Sequence, residues 1–377
     1  MTFRTLLVVL FALFTFNNAY ALAGCKKPHY MAVVDAGSTG SRLHLYTYDL
    51  DEYQDPTHVE EIASHTVNPG LSSIAANQAD IDKYLSKLFS DVSMQDIPVY
   101  FYSTAGMRIL SQQKQAIYYE ALKNWFARQE SFNLIDAKTI AGEDEAIFGW
   151  LSVNYNLGTL SDPKQKAVGV VDIGGASTQI VFPVDASPDS DQVTIKWHGQ
   201  DITLFAHSFL GLGQNKAMEK FLNTPACFSQ GYGLPEGLFG AGDATECEKN
   251  ISSVVNGEYG VNALVSPRVN ERSSSLSWYA IGAVPYLLHD GFLKINDESY
   301  SSAWLFNEVD TKACQVSWQN LKENDSTNGQ LFSACFRASY YYALIVDGYG
   351  VSPEELIHVF PKEKNIDWAL GVVLHQP

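Results

Sequence analysis

Apolar residues gather along this chain in short runs of strand length, and two of those runs open the same pattern. Met31 to Val34 and Ala167 to Val171 are apolar stretches too short for helices and suited to buried strands. Each ends on an aspartate, passes through a turn of small residues, and enters a second strand, Leu43 to Tyr48 or Gln179 to Phe182. Val33-Val34-Asp35-Ala36-Gly37-Ser38-Thr39-Gly40-Ser41-Arg42 is thus echoed by Val170-Val171-Asp172-Ile173-Gly174-Gly175-Ala176-Ser177-Thr178-Gln179. The pattern predicts two β-hairpins whose turns use the smallest side chains.

Between the hairpins, Ile97 to Tyr102 alternates as a strand and runs into Ser103-Thr104-Ala105-Gly106-Met107-Arg108, with a scaffold helix over 113–129. Gly142 ends a strand, and Glu143, Asp144 and Glu145 open a helix to Tyr155, where acidic residues complement the helix dipole. Val193 to Phe209 predicts a hairpin turning at His198-Gly199-Gln200-Asp201, and structural roles are expected for His207 and Ser208 near its end. A strand at Trp278 to Val284 and a helix at Arg337 to Val346 follow. Tyr340, Tyr341 and Tyr342 cannot all face one pocket from a helix, so most of that run is expected in the core. The duplicated unit predicts two related α/β lobes with a cleft between them. Lobe I is assigned to 27–146 plus a C-terminal strand region 358–377, and lobe II to 147–357.

The 377 residues suit two such domains, and 46% hydrophobic against 18% charged residues is a globular balance. A net charge of −17 excludes a nucleic-acid surface but leaves room for a nucleotide pocket built from backbone N–H groups and a cation. Arg4, the apolar run Leu6 to Phe16, and Ala19 and Ala21 in cleavage-site spacing predict a signal peptide over 1–24. Leu22-Ala23-Gly24-Cys25 offers a competing lipoprotein box, so the exported product is secreted or periplasmic, with a lipid anchor at Cys25 as the alternative. No later segment is expected to span a membrane, and a monomer is expected. Export favours disulfides. Of three connectivities for Cys227, Cys247, Cys314 and Cys335, nearest-neighbour pairing is the expected one.

The residue types in the two turns define the candidate chemistry. Glycines let backbone approach a ligand, and successive N–H groups make an anion site. Asp35 and Asp172 beside such turns cannot pair with phosphate themselves; a divalent cation would reconcile the two. Glu145, flanked by Ile147 and Phe148, could present a carboxylate to a cleft as a general base.

Together these segments resemble the ecto-nucleoside triphosphate diphosphohydrolases, or apyrases, most closely the soluble bacterial type. Asp35 to Arg42, Tyr102 to Arg108, Ile140 to Trp150, Val171 to Gln179 and Asp367-Trp368-Ala369-Leu370-Gly371 match that family's five blocks in order. The resemblance implies a two-lobed actin-like, duplicated ribonuclease-H-like α/β fold and hydrolysis of nucleoside tri- and diphosphates to the monophosphate. It implies Ser38, Thr39 and Gly40 in one phosphate loop, Gly174, Gly175 and Ala176 in the other, and Thr104 near the terminal phosphate. Asp35 and Asp172 would hold a hydrated Mg²⁺ or Ca²⁺ through water, with Trp368 beside its water shell. Glu145 would be the base, with Ser177 and Gln179 positioning the attacking water. Ala146 departs from the family's common Gly. For the nucleobase, aromatic candidates in lobe II are Tyr286 and Phe332. Rival readings are an exopolyphosphatase or guanosine-pentaphosphate phosphatase and a non-catalytic actin-like nucleotide-binding module.

Overall fold

The computed structural model describes residues 28–375 except 91, 93, 162–164, 187–190, 272–275, 290–292, 294–296, 325–327 and 365. The signal segment over 1–24 and Cys25 lie outside the described residues.

The first hairpin pairs β1 (His29–Ala36) with β2 (Ser41–Leu50), and β3 (Pro56–Val67), β4 (Ile97–Ser103) and β5 (Phe132–Thr139) complete a sheet ordered β3-β2-β1-β4-β5. The second hairpin pairs β6 (Gly169–Ile173) with β7 (Ser177–Pro183). Its sheet adds β8 (Gln192–Trp197), β9 (Gln200–Leu210), β10 (Trp278–Gly282), β11 (Ser299–Ser301) and β12 (Leu356–His358) in the order β11-β12-β10-β6-β7-β9-β8. The run β9-β7-β6-β10-β12 repeats β3-β2-β1-β4-β5 strand for strand. In both, the hairpin and third strand are antiparallel and the remaining two strands are parallel. The hairpin registers also coincide: Asp35 lies opposite Arg42 and Asp172 opposite Gln179. The sequence echo is therefore a duplicated sheet.

Both central strands are covered on each face, which accounts for their continuous apolar sequence. Ala32 and Val34 point into a core with α1 (Gln78–Leu88) and α3 (Gln112–Phe126), while Met31 and Val33 pack on Trp368, Val372 and Val373. The four-residue α2 (Ala105–Arg108) lies between α1 and α3 in the chain. In the second sheet Val171 and Ile173 face the large helical core of that lobe, and Val170 faces α4 (Gly142–Leu157) through Ala146 and Trp150. The C-terminal helix Ala369–Leu374 thus covers the first sheet, α4 covers the second, and these two helices cross. Gly371 makes the crossing close: a Cβ there would lie 2.1 Å from the Phe148 carbonyl oxygen, and its N–H donates to Ser152 Oγ at 2.8 Å.

The C-terminal strand region expected over 358–377 is corrected by this arrangement. Its strand, β12, ends at His358 within the second sheet, and the described residues that follow are coil and helix, because Ala369 to Leu374 buries an apolar stripe on β1. The boundary at 146/147 falls inside α4, a single continuous helix. The lobes also touch where His198 Nδ1 meets Asp51 Oδ2 at 2.9 Å and Tyr155 OH accepts from Val59 N–H at 3.0 Å. Cys227 bonds to Cys247 and Cys314 to Cys335. No helix among the described residues is long and apolar enough to cross a membrane.

Replacing Gly371 by Leu should cost about 1–3 kcal/mol or more by forcing the two helices apart. Gly257→Ala, in open space at a helix end, should be close to neutral. Urea midpoints of the two variants check this; equal midpoints would contradict the crossing.

Candidate active site

The two turns that the sequence pairs by pattern are paired in space. Gly37 to Gly40 and Gly174 to Ala176 line one cleft of about 560 Å³, together with Asp35, Thr104, Glu145, Asp172, Ser177, Tyr286 and Trp368. Direct approach of the loops needs glycine: a Cβ on Gly175 would lie 2.6 Å from Ser38 Oγ and 3.0 Å from Thr39 Cγ2. Each loop is backed by further glycines, because a Cβ on Gly106 would come within 2.8 Å of Ser38 Cα, and one on Gly213 within 2.3 Å of Ala176 N.

Backbone hydrogen bonding leaves these loops as donors. The carbonyls of Gly174 and Gly175 accept from Gln214 and Asn215 N–H at the start of α5 (Gln214–Phe221), and the Ala176 carbonyl accepts from Gly211 N–H. Among the described residues no acceptor takes the N–H groups of Gly175, Ala176, Ser38 or Thr39. Orphan N–H groups from two facing turns form a cradle for an anion.

The cradle stands beside an excess of carboxylates. Burial pushes Asp35 up to about 8, helped by the charges of Asp367 and Glu145. Burial, with Glu145, Asp35 and Asp367 adding to it, likewise holds Asp172 well above the ordinary range. Asp35 Oδ1 is buried without a hydrogen-bond partner. Two partly buried, mutually repelling carboxylates, one with an orphaned oxygen, fit a divalent cation, whose charge would relieve both. Asp367 is neutralised from its own side: despite burial, His44 and Arg42 hold it down at about 2, with contacts of 3.2 and 3.1 Å. His44, which also meets Glu61 at 2.9 Å, is held up to about 9 by Asp367 and Glu61.

Glu145 projects from the first turn of α4 and is nearly fully buried at the cleft wall. Burial raises it to about 7 against the opposing pull of Arg108, whose Nη2 donates to Oε2. Gln179 lies behind the cleft lining; its Nε2 is 2.7 Å from Ser177 Oγ, 3.0 Å from Ser208 Oγ and 3.3 Å from Glu145 Oε2. Thr104, at the end of β4, is anchored by its N–H to the Ala36 carbonyl at 3.3 Å. Trp368 stacks on Phe148 with ring centroids 6.3 Å apart.

On the second-lobe side, Tyr286 is half exposed in the cleft on the helix Ala283–His289. Phe332 is not brought there: its ring stacks on Tyr232 at 5.9 Å against that lobe's core, while its neighbours Leu331, Ala334 and Arg337 line the cleft. Tyr340 and Tyr341 are core residues, and Tyr341 OH positions the cleft residue Gln214 through a 2.8 Å bond. From sequence, Ser208 is expected to be structural only, and Arg108, Asp367 and His44 carry no assigned role. The available signal is that Arg108 and Asp367 stand inside two of the five blocks.

The GDA1/CD39 (nucleoside phosphatase) family pattern matches residues 22–229 and 238–376. The chain belongs to this family. It is a nucleoside phosphatase of the diphosphohydrolase and apyrase kind. Among GDA1/CD39 relatives, ectonucleoside triphosphate diphosphohydrolase 1 of Mus musculus is 27% identical over 417 residues, spanning 92% of this chain and 80% of the relative. Probable apyrase 5 of Arabidopsis thaliana is 26% identical over 401 residues, spanning 92% of this chain and 82% of the relative. A nucleoside triphosphate hydrolase structure from Neospora caninum aligns with a TM-score of 0.62 at 14% identity, covering 92% of each chain. A Ppx/GppA family member from Aquifex aeolicus aligns at 0.57 and 13% identity, covering 92% of this chain and 97% of its own. These structures establish the fold, which is the two-lobed actin-like α/β architecture seen in the duplicated sheets.

Two outcomes follow for this GDA1/CD39 cleft. Gly175→Val should lower kcat/KM for nucleotide by about 100-fold through displaced loops, with the melting temperature little changed; wild-type turnover would contradict the loop contact. Asp35 has a folded pKa raised to about 8 from an ordinary 3.8. Its contribution to stability is therefore fully present below about 4 and lost as pH rises through about 8. Cation-free protein should melt lower at pH 9 than at pH 5. Added Mg²⁺ should raise the melting temperature more at pH 9, and Asp35→Asn should flatten the dependence.

Proposed function

We propose that this chain is an exported apyrase that hydrolyses the terminal phosphates of nucleoside tri- and diphosphates, leaving the monophosphate, through a water deprotonated by Glu145. The observation that carries the reading is the convergence, in one cleft, of two N–H-presenting loops and a buried carboxylate of raised pKa.

In this reading Ser38, Thr39 and Gly40 hold the phosphate tail from one lobe and Gly174, Gly175 and Ala176 from the other, with Thr104 near the terminal phosphate. Asp35 and Asp172 would hold hydrated Mg²⁺ or Ca²⁺ through water, near Trp368. When bound, the cation supplies charge neutralisation on the phosphate oxygens. Glu145 takes the proton of the attacking water, and Ser177 and Gln179 orient that water and the carboxylate. Tyr286 offers its exposed ring to the nucleobase. In-line attack in a dry cradle needs positioning and charge compensation rather than a covalent intermediate. Export is supported by the two disulfides and by the likeness to an ectonucleoside triphosphate diphosphohydrolase.

Glu145→Gln should lower kcat by about 10²–10⁴ with little change in KM; unchanged turnover would remove the proposed base. Wild-type protein should release phosphate from ATP and ADP but not from AMP, and EDTA should abolish the release. Faster release from long polyphosphate than from ATP would favour an exopolyphosphatase instead. Because Glu145 must be ionised to accept a proton and burial lifts it to about 7, kcat/KM should fall as pH drops through that value.

A further inference from the structure

We propose that Arg108 is the positioning residue of the base: seated behind Glu145, it fixes Oε2 and leaves Oε1 as the atom that receives the water proton. The inference rests on Glu145 being the base, as read above, and adds how the fold aims that carboxylate.

The hydrogen bonds divide the two oxygens. Arg108, the last residue of α2, donates through Nη2 to Glu145 Oε2 and, at 3.2 Å, to Ser177 Oγ, and through Nη1 to Ser208 Oγ at 3.3 Å. Gln179 Nε2 approaches the same Oε2 at 3.3 Å. Oε2 therefore accepts from Arg108 and has Gln179 Nε2 nearby at 3.3 Å, whereas Oε1 has no donor among the described residues. Ser177 is committed in the same way. Its oxygen faces two N–H donors, Arg108 and Gln179, so what it has left to offer a water or a phosphate is its own hydroxyl proton. A serine in that state orients by donating and cannot itself accept the proton of the nucleophile. The acceptor is left as Glu145 Oε1.

The seat of the guanidinium is built into the backbone. A Cβ on Gly142, three residues before Glu145, would lie 2.3 Å from Arg108 Nη1 and 2.2 Å from Ser208 Oγ. Gly142 has an ordinary helical position at the start of α4, so space for Arg108 and Ser208 is what it supplies. Arg108 does not line the cleft, and its two terminal nitrogens are already spent on Glu145, Ser177 and Ser208, so a direct phosphate role is disfavoured. Its Nε is buried without a partner, which indicates that the seat serves the groups around it rather than the guanidinium.

Charge acts in the same direction as geometry. Asp35 from β1 and Asp172 from β6 are the carboxylates whose fields couple to Glu145, and Arg108 from α2 is the cation opposing its burial. Removing Arg108 leaves burial unopposed, so the base ionises at higher pH. Because only the ionised form accepts a proton, the acid limb of the pH–rate profile must move upward.

The test is the pH dependence of kcat and KM for ATP at saturating Mg²⁺ in Arg108→Ala and Arg108→Lys. Arg108→Ala should raise the acid limb of kcat/KM by about one pH unit or more and lower kcat at pH 7 at least tenfold. KM should stay near wild type, and activity should partly recover at pH 9. Arg108→Lys keeps the charge but cannot span three acceptors, so its limb should stay in place while kcat falls about tenfold. A folded Arg108→Ala protein with an unmoved limb overturns the proposal, as does a large rise in KM with kcat retained. If Arg108→Ala does not fold, Arg108→Lys decides alone, and wild-type kcat in that variant overturns it. Glu145→Gln measured alongside separates the two layers: full activity there defeats the reading of the base itself. Loss of activity there combined with an unmoved limb in Arg108→Ala defeats only the role given to Arg108.

Discussion

The contact of Gly175 with Ser38 and Thr39 sets the scale of everything else in the molecule. Two hairpin turns from different sheets can approach this closely only because Gly175 carries no side chain where the side chains of Ser38 and Thr39 meet it. The donors of both turns then face one volume, and the strands behind them bring Asp35 and Asp172 to its floor from equivalent registers. A duplicated sheet is the economical way to build such a site, since each copy supplies one wall. The crossing of α4 with the C-terminal helix at Gly371 holds the copies against each other. That crossing also delivers Glu145 from the start of one helix and Trp368 from the residue before the other.

Electrostatics explains why an acidic chain can bind a polyanion here. The net charge of −17 is no obstacle where backbone N–H groups do the holding and a cation completes the balance. The first lobe partners one carboxylate directly: Arg42 and His44 hold Asp367 ionised, while its charge still adds to the load on Asp35 and Asp172. Asp35 and Asp172 are left as the pair whose charge is unmet, with Glu145 kept near neutral pKa between burial and Arg108.

Much of this was legible in the sequence because it is carried by local pattern. Small residues after a Val-Val-Asp strand announce a hairpin and an anion site together, and their repetition announces the second lobe. Near-neighbour cysteines pair as expected. What stayed hidden depends on contacts far apart in the chain. Arg108 and Ser208 are separated by 100 positions and meet only across the lobes. β-strand alternation sends His207 toward Asp191 and Ser208 toward Gln179, a distinction that two adjacent polar residues do not declare. Phe332 and Tyr286 look alike as ring platforms, but one is claimed by Tyr232 and the core. The C-terminal segment has strand-like apolar content, yet its partner is the Met31 and Val33 face of β1, where a helix fits.

The central claim is that both turns grip the same polyphosphate tail. A crystal structure with Mg²⁺ and a non-hydrolysable ATP analogue measures this directly. The account predicts phosphate oxygens accepting from N–H groups of Ser38 or Thr39 and of Gly175 or Ala176 at once, with the terminal phosphate nearest Glu145. A triphosphate that touches one turn alone, or that lies outside the cleft between the lobes, would contradict it.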